Sequence, residues 1–143
     1  MAIVFRVAGA SPITTWVAVG DSSTVAVSSN STTFSTYQLD DTTDTPLRSI
    51  GYGKDTATGE TMWMLGTNNS YVSSGSNPVG GSAQWSGLEH IMNKNGHRAL
   101  QFGDNGDGVW VMGSRARIKR NVSGSWSGNI DLNVGMIKGV ANN

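Results

Sequence analysis

Hydrophobic and polar positions along the chain repeat one short phrase three times. Each copy is an apolar run around a tryptophan that is closed by a glycine: ITTWVAVGD, GETMWMLGT and GDGVWVMGS, around Trp16, Trp63 and Trp110. Both intervals between these tryptophans are 47 residues. A fixed period of this length is typical of a repeat protein in which each unit is one supersecondary structure.

Two further landmarks recur in every period. An apolar phrase lies upstream of each tryptophan: VFRVAGASP, LRSIGYGKD and HRALQFGDN, with Arg6, Arg48 and Arg98 predicted to hold the same place. Downstream, an aromatic residue precedes a serine: Phe34-Ser35, Trp85-Ser86 and Trp126-Ser127. The segments between landmarks vary in length, as loop insertions do. We therefore expect one repeat domain over residues 1–143, with units of about 1–46, 47–96 and 97–143.

The hydrophobic pattern within each unit predicts four short antiparallel strands. In the second unit they cover 47–53, 61–67, 70–74 and 85–92, and in the third 97–103, 108–114, 115–120 and 126–134. KDTATGE and DNGDG separate the first two strands and suit hairpin turns, because Gly and Asn accept positive φ. The nearly continuous apolar runs predict inner strands that are covered on both faces. The fold class predicted is all-β.

The third unit, ALQFGDNGDGVWVMGSRARIKRNVSGSWS, resembles the Asp-box or BNR-type propeller repeat of sialidase-like proteins. In that family an apolar strand is followed by Trp-Val-x-x-Gly, a polar strand and a turn leading to Trp-Ser or Trp-Thr. The family's turn carries an acidic residue, which all three units of this chain lack. The resemblance implies three propeller-like four-stranded repeats and does not extend to activity. Similar repeats occur in phage appendage proteins.

Three units do not make a closed propeller, which typically has four to eight blades. The prediction is a half propeller that closes by oligomerisation, with a homodimer completing a six-bladed ring. The C-terminal MIKGVANN looks like the first strand of a further unit and would clasp another subunit. The alternative is a β-trefoil, which closes three units within one chain. Trefoil lectins usually carry Gln-x-Trp in each unit, and only Gln84-Trp85 is similar here.

Composition and charge narrow the range of partners. The ten basic and ten acidic residues cancel, and only 14% of residues are charged, so neither nucleic acid nor a membrane is expected as a partner. The chain has no cysteine and two histidines. With no metal-ligand spacing in the sequence, we expect no metal site and no cofactor.

Two sets of repeated residues raise the question of chemistry. The central tryptophans could bind sugars, but a large aromatic at one place in every unit more often packs between units. Three arginines hold the substrate carboxylate of sialidase-like enzymes, yet Tyr37, Tyr52 and Tyr71 have no recognisable catalytic companions. We expect the arginines to tie adjacent units together by bonding backbone carbonyls. No catalytic residue is assigned, and the protein is predicted not to be an enzyme.

The leading hypothesis is a non-catalytic binding or assembly module, such as a viral, phage-like structural or appendage protein located in a virion or outside the cell. Its partners would be a second copy and a glycan or another virion protein. In a propeller, the loops joining strands two and three emerge on the same face as the loops between units. The predicted ligand contacts on that face are Asp21, Asp41, Asn68, Asn69, Lys94, Asn95, Ser114 and Arg115. The alternatives are a monomeric trefoil lectin and a partial or inactive sialidase-like hydrolase.

Overall fold

The prediction of an all-β protein is confirmed by a computed structural model. The structure describes residues 3–8, 14–39, 45–54, 61–67, 71–91, 97–102, 109–113, 117–122, 125–128 and 130–131. Within these residues it contains three antiparallel sheets and two single turns of 3-10 helix. The described strands close neither a barrel nor a ring.

The first sheet, called unit 1, is a simple meander. Its strands are β1 (Ile3–Ala8), β2 (Thr14–Val19), β3 (Thr24–Ser28) and β4 (Ser35–Gln38). They are hydrogen-bonded in the order β1-β2-β3-β4. The turn between β2 and β3 holds both Ser22 and Ser23 at positive φ, and the Thr24 amide donates to the Asp21 carbonyl across it. This matches the right-handed strand twist, as two-residue hairpin turns with positive φ do.

The second sheet, unit 2, repeats that meander. Its strands are β5 (Leu47–Lys54), β6 (Thr61–Thr67), β7 (Tyr71–Gly75) and β8 (Glu89–His90), in the order β5-β6-β7-β8. The first three agree closely with the predicted bounds. A continuous strand over 85–92 was wrong: the 3-10 turns Pro78–Gly80 and Ser82–Gln84 precede an isolated bridge between Gly75 and Trp85. Only Glu89–His90 then rejoins the sheet.

The third sheet, unit 3, contains β9 (His97–Phe102), β10 (Val109–Gly113), β11 (Arg117–Val122), β12 (Ser125–Trp126) and β13 (Ile130–Asp131). The path is β9-β10-β11-β12, and β13 also pairs with β11. The predicted last strand, 126–134, is therefore two short segments on the same neighbour as far as the structure describes it. The C-terminal MIKGVANN lies outside the described residues.

Strand register corrects the predicted equivalence of the three arginines. Arg48 and Arg98 both occupy bulges near the start of a first strand, where the pairing skips one residue. Arg6 instead pairs directly with Trp16 in mid-strand. The residue opposite the tryptophan is Arg6 in unit 1, Tyr52 in unit 2 and Gln101 in unit 3. Arg48 lies four residues before Tyr52 and Arg98 lies three residues before Gln101, so the three similar apolar phrases stand at different distances from their tryptophans.

The core lies between consecutive units. The first strand of each later unit lies against the first two strands of the unit before it: β5 against β1 and β2, and β9 against β5 and β6. One cluster of buried side chains joins units 1 and 2, and its members are Val17, Val19, Val25, Val27, Leu47, Ile50, Trp63, Leu65 and Trp85. A second cluster, of Met64, Val72 and Ile91, receives Trp126 from unit 3.

The two clusters lie on opposite faces of unit 2. Trp63 and Leu65 belong to the first cluster, whereas Met64, between them on β6, belongs to the second. Successive residues of a strand point to opposite faces, so unit 2 shows one face to unit 1 and the other to unit 3. The nearly unbroken apolar phrase of β6 follows from this double coverage.

Candidate functional site

Of the predicted ligand contacts, the structure describes Asp21 alone. Asp41, Asn68, Asn69, Lys94, Asn95, Ser114 and Arg115 lie outside the described residues. Asp21 is in the β2–β3 turn, as predicted, and its carboxylate forms a 3.0 Å ion pair with Arg48 at the start of β5. A contact between Asp21 and a ligand stays a prediction.

The β2–β3 turn is fastened to the segment that connects units 1 and 2. The Ser23 amide and hydroxyl both donate to the Thr45 carbonyl at 3.0 Å, and the Leu47 amide donates to the Gly20 carbonyl at 2.9 Å. Together with the Asp21–Arg48 pair, these bonds tie the turn to the next unit. Arg48 thus links adjacent units as predicted, but the bond shown is to a carboxylate, whereas bonds to backbone carbonyls were expected. The side chains of Arg6 and Arg98 are outside what the structure describes.

A row of aromatic residues crosses unit 2 around a glycine. Tyr52, Trp63, Gly75 and Trp85 occupy one register on four neighbouring segments. The Tyr52 and Trp63 rings are 4.9 Å apart between centroids, and Trp63 is only 3% exposed. A β-carbon at Gly75 would lie 3.1 Å from the Trp85 indole. Gly75 therefore leaves room for Trp85, and the predicted packing role is confirmed for Trp63.

Trp85 reaches from unit 2 to the outer strand of unit 1. Its Nε1 donates to the Tyr37 hydroxyl at 2.7 Å, and that hydroxyl donates to the Pro78 carbonyl at 2.7 Å. Tyr37 thus receives one hydrogen bond from unit 2 and returns another. Burial raises the pKa of the Tyr37 phenol above its ordinary value, and the hydrogen bond from Trp85 offsets part of that rise.

The same joint recurs one unit later. Trp126 packs against the cluster of Met64, Val72 and Ile91 in unit 2. Its Nε1 donates to the Glu89 carboxylate on β8, the outer strand of unit 2, at 3.4 Å. In both joints, the indole of the Trp-Ser phrase donates to a polar side chain on the last strand of the preceding unit.

The serine of the phrase holds each tryptophan against its own sheet. The Ser86 amide donates to the Ser74 carbonyl, and the Ser86 hydroxyl accepts from the Ser74 amide at 2.9 Å. Ser127 makes the same pair of bonds with Arg120, at 2.8 and 3.0 Å. Each hydroxyl also donates to the carbonyl of the next glycine, Gly87 or Gly128. Where the last strand departs from regular pairing, the serine hydroxyl therefore accepts the hydrogen bond that a backbone carbonyl accepts in a regular β-sheet.

Phe34, the counterpart of these tryptophans in unit 1, is 42% exposed. At the other end, Ile130 on β13 is 43% exposed. It borders a mostly apolar groove of about 420 Å³ that is lined by Arg120, Val122, Ser125, Trp126, Ser127 and Ile130. The place of Phe34 in the repeat could be read from the Phe-Ser phrase, but its exposure and this groove emerge only from the fold.

Comparison with known proteins assigns this chain to no family. The sequence matches no protein-family model, and no curated protein matches it significantly. Among the described residues, no cluster of three or more acidic or histidine side chains has the arrangement of a metal site. The same part of the chain contains no helix long and apolar enough to cross a membrane.

Proposed function

We propose that this protein is a non-catalytic assembly module of propeller-like units, which self-associates through the faces left at the two ends of its three-unit array. The observation that carries the proposal is the repeated joint. Trp85 and Trp126 each contact the last strand of the preceding unit, whereas their counterpart Phe34 has an exposed side chain. A second copy would supply the missing neighbour.

The topology favours propeller-like units over the β-trefoil. Every ladder among the described strands joins strands of the same unit, in the meander order expected for propeller blades. A trefoil builds its barrel by pairing strands of different units, and none of the described strands does so. Six is the one multiple of three within the usual four to eight blades, so two copies are the simplest closure.

A sialidase-like hydrolase is less well supported. Such an enzyme needs an aromatic nucleophile that can give up its proton. Burial shifts the pKa of Tyr37 in the opposite direction, and its hydroxyl is engaged by Trp85 and Pro78. Tyr52 packs on Trp63, and Tyr71 packs on His90 with ring centroids 4.8 Å apart. These contacts give the tyrosines packing roles rather than chemical ones.

We place the assembled module in a virion or outside the cell, as part of a phage-like particle or appendage. A glycan or another virion protein would bind the face that carries the Asp21 turn. This part of the proposal rests on the resemblance of the repeats to those of phage appendages, together with the low charge. Alanine at both Asn69 and Arg115 is expected to weaken glycan binding without unfolding the protein; unchanged binding on a glycan array would remove that face from the proposal.

Sedimentation velocity over a dilution series tests the self-association. The expected result is a species near twice 15.1 kDa that dissociates on dilution, with no larger species at high concentration. A closed ring stops growing once both ends are covered. A species of 15.1 kDa at every concentration would contradict the proposal and favour the trefoil lectin.

A further inference from the structure

We infer that Phe34 of one copy docks on Ile130 and the groove beside it in a second copy, forming an intermolecular version of the Trp85–Tyr37 and Trp126–Glu89 joints. This inference rests on the proposed self-association and identifies the residues that make the contact. The two internal joints provide the template. Phe34 holds in unit 1 the place that Trp85 and Trp126 hold in units 2 and 3. Ile130 holds in unit 3 the place that Glu89 holds in unit 2.

The register places both side chains on sheet faces that point away from unit 2. Tyr37 pairs with Val25, and that face of unit 1 joins the core shared with unit 2. Ser35 lies two residues before Tyr37 and pairs with Val27, so it belongs to the same face as Tyr37. By alternation, its neighbour Phe34 belongs to the opposite face, which would meet a preceding unit.

The corresponding argument holds for unit 3. Trp126 pairs with Asn121 and packs against unit 2. Val122, one residue further along β11, therefore belongs to the far face. Ile130 pairs with Ile118, which is four residues from Val122 and so lies on that same face. Val122 and Ile130 both line the apolar groove.

Positions along the chain identify Ile130 as the next acceptor in the series. Glu89, which receives Trp126, is four residues after Trp85. Ile130 is likewise four residues after Trp126. Glu89 pairs with Val72 on β7, just as Ile130 pairs with Ile118 on β11. Ile130 thus occupies in unit 3 the place that Glu89 occupies in unit 2.

The chemistry of each pair matches along the series. The buried indole N–H of Trp85 needs an acceptor, which Tyr37 provides, and the N–H of Trp126 donates to Glu89 in a more exposed bond. A phenyl ring has no donor to satisfy, and Ile130 offers no acceptor. Phe34 is therefore suited to the apolar groove of unit 3 rather than to the polar positions on units 1 and 2. Burying both side chains in the assembly would be favourable by the hydrophobic effect.

Two copies can make this contact twice. Phe34 of each copy would meet Ile130 of the other, so that one twofold axis relates the two joints. The exposed end faces of both chains are then covered. No third copy is needed to close the array.

Single cysteine variants test the joint, because the natural chain has no cysteine. Phe34→Cys is mixed with Ile130→Cys under mild oxidation, and the expected product is a covalent dimer of twice 15.1 kDa. The matched control is Phe34→Cys mixed with Val79→Cys, since Val79 is also exposed, at 52%. A disulfide requires Cα atoms within about 7 Å. Equal yield from the control mixture would overturn the joint.

A charged residue in place of Phe34 provides a second test of the joint. Phe34→Asp is expected to raise the dissociation constant of the dimer by about 10- to 100-fold, as loss of a buried aromatic anchor does. Val79→Asp is expected to leave it unchanged, and circular dichroism checks that both variants fold. A wild-type monomer would overturn self-association itself. A wild-type dimer that Phe34→Asp does not weaken would overturn this joint alone.

Discussion

Trp85 of unit 2 donates a 2.7 Å hydrogen bond to Tyr37 of unit 1, across 48 residues of sequence. Tyr37 passes a second hydrogen bond back to Pro78 of unit 2. Because the phenol both accepts and donates, it satisfies a buried indole and a backbone carbonyl at the same joint. Stability of the array therefore depends on contacts between units as well as on the sheets themselves.

Replacing Tyr37 by Phe tests this joint with the loss of one oxygen atom. The Trp85 N–H and the Pro78 carbonyl would lose their partner, so the free energy of unfolding should fall by about 1–3 kcal/mol. Tyr71→Phe is the control, because the Tyr71 side chain is 37% exposed. Urea unfolding at a fixed protein concentration measures both. Equal losses in the two variants would contradict a special role for Tyr37.

Alkaline pH should weaken the same joint. The folded-state pKa of Tyr37 is raised above 10.0, so the unfolded chain loses that proton first as pH increases. The stabilisation is complete below about pH 10 and is lost as pH rises through the folded pKa. Tyr37→Phe lacks this ionisation. The stability difference between wild type and Tyr37→Phe should therefore shrink as pH rises above about 10, as followed by urea unfolding. A difference that grows would show the opposite pKa shift.

Gly75→Ala should displace Trp85. The added β-carbon would stand 2.7 Å from the Gln84 carbonyl oxygen and 3.1 Å from two indole carbons. Overpacking of this kind costs about 1–3 kcal/mol of unfolding free energy. Gly87→Ala is the matched control, because its β-carbon would meet nothing within 4 Å. Thermal or urea unfolding compares the two, and an equally stable Gly75→Ala protein would argue against close packing of Trp85.

Ser86→Ala and Ser127→Ala should each weaken one unit. Each change removes a hydroxyl that accepts from a neighbouring-strand amide, at 2.9 Å for Ser86 and 3.0 Å for Ser127. Each should cost about 0.5–1.5 kcal/mol. Because the serines lie in different units, the losses should add in the double variant. Urea unfolding is compared with that of Ser76→Ala, an exposed serine. If Ser86→Ala and Ser127→Ala reduce the free energy of unfolding no more than Ser76→Ala does, the two serine hydroxyls do not have this stabilising role.

The sequence was sufficient for the strands whose apolar pattern is strong. The bounds of β5, β6 and β9 follow from hydrophobic runs and turn residues, and the position of Trp63 between units follows from its repetition. The last strands were predicted less well, because Ser86 and Ser127 replace ladder carbonyls with side-chain oxygens. Neither hydropathy nor spacing reports such a bond.

The joints between units could not be predicted at all from one sequence. Trp85 and Tyr37 are far apart in the chain, and their contact depends on how two sheets pack. The arginines were aligned wrongly, because Arg6 lies opposite Trp16 whereas Arg48 lies four residues before the residue opposite Trp63. The predicted ligand-binding face remains a hypothesis, and Asp21 is the one predicted contact residue that the structure describes.

The number of chains in the assembled particle tests the proposed ring most directly. Equal amounts of unlabelled and isotope-labelled protein are unfolded together, refolded and measured by native mass spectrometry. Two copies per particle predict three species: unlabelled, mixed and fully labelled dimers. Two species, each a single chain, would show that the array is complete without a partner. Four or more would show an assembly larger than the dimer, and either result would contradict the six-unit ring.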